Sequence, residues 1–91
     1  MAEYPHDIAR RFGENLRRCR KKAGFSQEEL AVLASVHRTE IGLLERGERI
    51  PRIDTWVKLA GSLSVPPGDL IAGIDWQPGV MRRGGFELAT I

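Results

Sequence analysis

Between His37 and Pro51 the chain reads HRTEIGLLERGERIP. His37, Arg38 and Thr39 place three hydrogen-bonding side chains together at the start of a short amphipathic run. Arg46, Arg49 and Arg52 follow at every third position, around Gly47 and Pro51. A guanidinium fork bonds anions and planar acceptor pairs bidentately, so this stretch has the chemistry of a binding surface. The chemistry of a catalyst is missing. No nucleophile–base constellation stands out, and nothing in the pattern sets paired carboxylates in a cleft. The phosphate loops GxxxxGK and GxGxxG are absent. His6, His37 and Cys19 have no metal-ligand spacing. Neither an enzyme, a metal nor a cofactor is expected.

The elements that must position these residues are short. Ile8, Phe12, Leu16, Cys19 and Ala23 recur at helical spacing, and Gly24 supplies a stop. The opposite face of this first helix carries Arg10, Arg11, Arg17, Arg18, Lys21 and Lys22. Such a run is either a solvated face or a source of long-range attraction for an anion. Ser26 and Glu29 have capping-box spacing, and Phe25 and Leu30 that of a hydrophobic staple. They predict a second helix from Gln27 to Leu33 or Ala34. A connector, ASV, leads to a third helix over His37 to Arg46, with Ile41, Leu44 and Leu43 as its apolar stripe and Gly47 as its end. Two short helices joined by a tight turn make a helix-turn-helix over about residues 27–46.

Pro51 breaks the chain. Ile53, Trp56, Val57, Ala60 and Leu63 predict a fourth helix, and VPPGDLIAG a turn and short fifth helix anchored by Leu70 and Ile71. After Gly73 the pattern changes to glycines, a proline and the alternations Ile74/Trp76 and Phe86/Leu88, which is turn and strand chemistry. The expected fold is all-α: a compact five-helix domain over 1–73, with an extended, strand-like extension over 74–91.

Ninety-one residues suit one domain and one modest core. Fourteen basic and twelve acidic residues leave a net charge of only +2, so the distribution of charge has to identify partners. Cys19 has no second cysteine to pair with, and its place on the apolar stripe predicts a core thiol. No apolar run approaches the roughly 18 residues of a membrane span. The N-terminus MAEYPHDIARRFG has no apolar signal-peptide core. A cytoplasmic, nucleoid-associated protein with no membrane partner is expected.

Together, FSQEELAVLA, VHRTEIGLLERGERIP and DTWVKLAGSL resemble the lambda-repressor-like (Cro/cI, XRE) helix-turn-helix family, over about Ile8 to Gly73. Gln27 opens the second helix as the family prefers, Ala31 is small where the helices approach, and Glu45-Arg46-Gly47 matches the family's helix-ending Glu-x-Gly. The HRT start is similar to the branch that includes restriction–modification controllers and other small repressors. This likeness implies double-stranded DNA as partner, with the third helix in the major groove. His37, Arg38, Thr39, Glu40 and Leu43 then become candidate base contacts. Arg38 suits guanine O6 and N7, a contact worth about 1–3 kcal/mol of discrimination. Glu40 can accept from cytosine or pair with Arg38. Gln27, Arg46, Arg49, Arg52 and Arg17 become candidate phosphate contacts, with Arg52 also placed to reach the minor groove. Gly42 is expected to let the helix approach the DNA closely. The resemblance also implies a structural ion pair between Arg20 and Glu45.

The chain departs from the pattern at three places. Ser35 stands where the family usually has Gly. His37 and Arg52 are poor caps, as expected of side chains that serve a ligand instead. The residues after Gly73 lie outside the pattern. One recognition helix reads few base pairs, so a homodimer on an inverted repeat is expected, acting as a repressor. Leu70, Ile71, Ile74, Trp76 and Phe86 are its candidate surface, with FELATI pairing as a strand across the axis. The alternative is an antitoxin or controller-type protein whose tail binds another protein.

Overall fold

The computed structural model describes residues 5–79 and 83–89, without the side chains of Pro5 and His6. Residues 1–4, 80–82, 90 and 91 lie outside the described residues, and with them the ends of the segments predicted over 1–73 and 74–91. Helix α1 runs Pro5–Ala23, a turn earlier than its apolar stripe suggested, because proline is well suited to a first helical turn. Asp7 in the first turn and Arg20, Lys21 and Lys22 in the last complement the helix dipole. Helix α2 spans Gln27–Ala34, α3 Arg38–Glu45 and α4 Ile53–Leu63. A short 3-10 helix, Pro67–Ile71, takes the place of the predicted fifth helix. Pro66 and Pro67 lack amide donors and Gly73 turns left-handed with φ 83°, so too little chain remains to propagate an α-helix.

The core gathers Phe12 and Leu16 of α1, Leu30 of α2, Ile41 and Leu44 of α3, Leu59 and Leu63 of α4, and Leu70. Cys19, Phe25, Val36, Trp56 and Ile71 pack around it. Trp56 is half-buried, and its indole Nε1 donates to the Pro67 carbonyl at 2.7 Å. The buried face of α4 differs from expectation. Thr55, Leu59, Ala60 and Leu63 face inward, whereas Ile53 and Val57 are 73% and 55% exposed. The helix carries two apolar rows, and the inward one is disguised by the hydroxyl of Thr55.

Asn15 is a buried polar residue in this core, 0% exposed. Its Nδ2 donates to the carbonyls of Leu70 at 3.1 Å and Ala72 at 3.0 Å, and its Oδ1 accepts from Arg18 at 2.8 Å. A buried amide is tolerated only when bonded in this way. The bonds tie α1 to the point where the chain leaves the helical body.

There β1 (Ile74–Gln77) and β2 (Gly85–Leu88) form an antiparallel hairpin. Ile74 stands opposite Leu88 and Trp76 opposite Phe86, whose rings meet edge-to-face at 5.1 Å. The predicted strand FELATI therefore pairs within its own chain, and Thr90 and Ile91 lie outside the described residues. Asp75 faces Glu87 across the ladder, a like-charge pairing that costs stability. The hairpin base is held by the Ala89 amide donating to the Gly73 carbonyl at 2.8 Å, and by Arg11 Nη1 donating to the Ala89 carbonyl at 2.8 Å.

Gly13 marks where α1 meets the last turn of α3: a Cβ there would lie 2.2 Å from the Leu44 carbonyl oxygen and 2.7 Å from that of Glu45. Gly61, on the exposed side of α4, has open space at the same point. Gly13→Ala is expected to lower stability by about 1–3 kcal/mol through overpacking, and Gly61→Ala to raise it by about 0.5–1 kcal/mol. Thermal unfolding of the two variants checks the contrast; equal and small shifts would contradict the close α1–α3 packing.

Candidate nucleic-acid interface

Ser26 caps α2 as its spacing predicted. The Glu29 amide donates to Ser26 Oγ at 3.0 Å, and the Ser26 amide donates to Glu29 Oε1 at 2.8 Å. The bonds from Ser26, backbone first and then hydroxyl, hold the Glu29 carboxyl below the usual carboxylate range. A depressed folded pKa means that this contribution is present near neutrality and lost as pH falls through the folded value. Ser35 closes α2 in the left-handed region, φ 55° and ψ 45°, at a cost of about 1 kcal/mol for a residue with a Cβ. The Val36 amide then bonds the Ala31 carbonyl at 3.0 Å. This turn redirects the chain within three residues, and the buried Ala31 and Ala34 let α3 pack across α2.

The start of α3 lies open to solvent: His37, Arg38 and Thr39 are all exposed. His37 proves to be a working cap rather than a vacant one. Its Nδ1 accepts from the Thr39 amide at 3.1 Å, which leaves Nε2 as the ring's donor when neutral. Arg52 is the cap residue of α4 and makes no side-chain cap bond. Leu43 is half-buried. Gly42 is buried, and Arg46 Nη1 lies 3.0 Å from where its Cβ would be, so the Arg46 side chain covers the position expected to approach DNA.

The arginines of this surface each meet a carboxylate. Arg38 Nη1 lies 3.3 Å from Glu28 Oε1. Glu40 bonds Arg49, not Arg38, which decides one of the two alternatives left open for it. Arg46 bonds Glu48, and Arg52 Nε lies 3.3 Å from Asp54 Oδ1. Glu28, Glu48 and Asp54 did not stand out in the sequence. Two of them could have: Arg46/Glu48 and Arg52/Asp54 share a two-residue spacing, whereas Glu28 reaches Arg38 from another helix.

Beneath this surface, Arg20 and Glu45 form a bidentate pair, Nε to Oε2 at 2.6 Å and Nη2 to Oε1 at 2.9 Å. Their side chains are 11% and 4% exposed. Arg20 Nη1 also donates to the Phe25 carbonyl at 2.9 Å. Hydrogen bonding to Glu45 raises the Arg20 pKa against the effect of burial, so the guanidinium stays charged. Gln27 donates from Nε2 to Glu45 Oε1 at 3.1 Å. Its amide nitrogen is thus bonded to the ion pair. Arg17 is exposed on α1, as are Lys21 and Lys22.

The candidate association residues divide. Leu70 is fully buried in the core of this chain and cannot contribute a surface. Its place on a turn between two packed helices accounts for the difference. Ile71 is half-buried against the core, Ile74 and Phe86 are half-buried in the hairpin, and Trp76 is 55% exposed. Among the described residues no helix is long and apolar enough to cross a membrane, and no group of His, Cys, Asp and Glu side chains could hold a metal ion.

The helix-turn-helix family HTH_3 matches residues 16–70. The chain is 41% identical over 61 residues to Control protein C.BamHI of Bacillus amyloliquefaciens, a match covering 66% of this chain and 75% of that protein. It is 44% identical over 62 residues to Control protein C.SmaI of Serratia marcescens, covering 66% and 74%. The crystal structure of the restriction–modification controller protein C.AhdI from Aeromonas hydrophila superposes with TM-score 0.70 at 37% identity, covering 71% of this chain and 94% of that one. The P22 c2 repressor in complex with a synthetic operator superposes with TM-score 0.64 at 31% identity, covering 68% and 94%. With its capped α2, left-handed turn and open α3 start, the chain belongs to the HTH_3 helix-turn-helix family, as a DNA-binding transcription regulator of the XRE type.

Proposed function

We propose that this protein is a sequence-specific repressor that binds an inverted-repeat operator as a homodimer, with α3 in the major groove. The exposed start of α3, presenting His37, Arg38 and Thr39 on a helix braced from behind by Arg20 and Glu45, is the observation that carries this reading. The major groove admits one helix and offers a distinct donor and acceptor pattern for each base pair. Arg38 reads a guanine through O6 and N7. Thr39 bonds a base or touches a thymine methyl, and His37 donates from Nε2. Leu43 adds an apolar contact one turn further on. Glu40 contacts a base only after releasing Arg49. Arg46, Arg49 and Arg52 flank the loop after α3 and take phosphates, with Arg17 further back on α1. Gln27 holds Glu45 and, at the start of α2, lies beside helix amides that suit a phosphate. The protein works in the cytoplasm, on the nucleoid.

The second copy associates through the hairpin. A two-stranded hairpin is marginally stable alone, and Trp76 remains more than half exposed after stacking on Phe86. Ile71 and Ile74 adjoin it. The alternative is an antitoxin or a controller of a restriction–modification system, whose tail engages a protein partner; the control proteins among the relatives favour the controller over the antitoxin. A binding site upstream of its own gene, beside genes for a nuclease and a methyltransferase, selects that reading.

Selection of bound genomic fragments at about 0.15–0.2 M salt, where non-specific binding is weakened, tests the main reading. The wild-type chain is expected to enrich an inverted repeat, and Arg38→Ala to lose about 1–3 kcal/mol of affinity for it. No enrichment above the variant would refute recognition through α3. Removal of residues 74–91, or the milder Trp76→Ser, is expected to weaken self-association by sedimentation. A truncated chain still dimeric at low micromolar concentration would refute the hairpin interface. Glu45→Gln leaves Arg20 buried and unpaired, at a cost of about 3–5 kcal/mol. Arg20→Met with Glu45→Leu is expected to restore most of the thermal stability yet bind the selected motif more weakly. Full recovery of binding would show that the pair stabilises the fold without positioning α3.

A further inference from the structure

The charge of this protein is divided unevenly between its elements. Helix α1 carries Arg10, Arg11, Arg17, Arg18, Arg20, Lys21 and Lys22 against Asp7 and Glu14. Residues 27–54, which hold the helix-turn-helix and the loop after it, carry Arg38, Arg46, Arg49 and Arg52 against Glu28, Glu29, Glu40, Glu45, Glu48 and Asp54. The segment that would face DNA is therefore net acidic. Glu29 and Glu45 are committed to the capping box and to Arg20. The other four carboxylates each stand on one of the four arginines.

These pairs do little for the fold. Arg38/Glu28, Arg46/Glu48 and Arg52/Asp54 have more than half of each side chain exposed, and exposed pairs contribute little to stability. Their consequence is for binding. Attraction to DNA of any sequence comes almost wholly from cations that neutralise phosphates. An arginine already neutralised by its own carboxylate contributes little to it. On a matching site the base edges hold α3 in one register, and the arginines are drawn to fixed acceptors. On random DNA nothing fixes the register, and an arginine gains little by leaving its carboxylate.

We infer that Glu28, Glu48 and Asp54 are specificity-determining residues: built-in competitors of phosphate that suppress binding to random DNA more than binding to the operator. The inference rests on the DNA-reading function proposed above. It assigns to α1, whose Arg17, Lys21 and Lys22 are exposed, the long-range attraction that the reading surface lacks.

The test is the full chain carrying Glu28→Gln, Glu48→Gln and Asp54→Asn, with thermal unfolding as the check on folding. Glu40 is left intact because it is a candidate base contact. Affinity is measured for the motif selected by the wild type and for a random-sequence duplex of equal length, across a salt series. The variant is expected to bind random duplex about tenfold or more tighter, with a salt slope steeper by about −0.9 for each arginine freed. Affinity for the selected motif is expected to rise by a smaller factor, so the ratio of the two falls. An unchanged affinity for random duplex would overturn the inference, as would an equal rise for both duplexes. So would a loss of motif binding alone, which would make the carboxylates base contacts or supports. If the triple variant folds poorly, Glu28→Gln and Glu48→Gln separately are each expected to shift the slope by one arginine's worth, and no shift in either overturns the inference. A wild-type chain that selects no motif would fail the functional reading itself, before any variant is compared.

Discussion

The buried pair of Arg20 and Glu45 is the constraint on which the recognition surface depends. Through it the last turn of α1, the chain entering α2 and the end of α3 share one hydrogen-bonded cluster: Arg20 also bonds the Phe25 carbonyl, and Gln27 also bonds Glu45. The alternative of an apolar cluster at this point would serve stability as well or better, because burying two charges costs desolvation that their attraction only partly returns. A bidentate guanidinium–carboxylate contact does something an apolar cluster does not. Its two parallel bonds fix distance and angle, and here they fix how α3 lies against α1. Gly13 makes the same approach possible a little further along, where the last carbonyls of α3 leave no space for a side chain.

With α3 braced from behind, its front is left with pairs that open easily. A buried charge pair and exposed charge pairs thus have opposite uses in one small domain. The buried one resists rearrangement because either partner alone would be stranded in the core. The exposed ones can exchange partners without stranding a charge, since water and salt screen what is left behind. On the reading proposed above, Arg38 would leave Glu28 for a guanine without disturbing the helix that carries it. The rigid element and the adaptable side chains are therefore supplied by the same chemistry at different depths.

Much of this was legible in the sequence wherever a local rule applied. Ser26 and Glu29 placed the start of α2, Gly24 and Gly47 the ends of α1 and α3, and Gly73 the change from helix to hairpin. The ion pair was implied by family resemblance and not by any local pattern, because Arg20 and Glu45 are 25 residues apart. Where the sequence misled, two local patterns competed or the deciding partner lay elsewhere. Both rows of α4 are apolar enough to be buried, and which one turns inward depends on the helices it meets. Leu70, an apolar anchor of the expected fifth helix, was grouped with the tail as an association surface, although α1 and α4 close over it. Glu40 was offered Arg38 as a neighbour on its own helix and instead meets Arg49 across the following turn. Asn15 gave no signal at all, since its partners are backbone carbonyls near residue 70.

Asn15 also shows how the two ends of the molecule communicate. Helix α1 presents Gly13 and Arg20 to α3, and Arg11 and Asn15 to the chain that leads into the hairpin. Arg11 reaches the Ala89 carbonyl past Gly73, where any Cβ would collide with its guanidinium. Both sets of contacts sit on one continuous 19-residue helix, and a helix of that length transmits orientation as a rigid rod. For two copies joined through their hairpins, the angle between the two recognition helices would be set by α1 and not by the loops between elements. A half-site spacing of one helical turn favours that kind of stiffness, since a flexible joint would lower the effective concentration of the second recognition helix at its half-site.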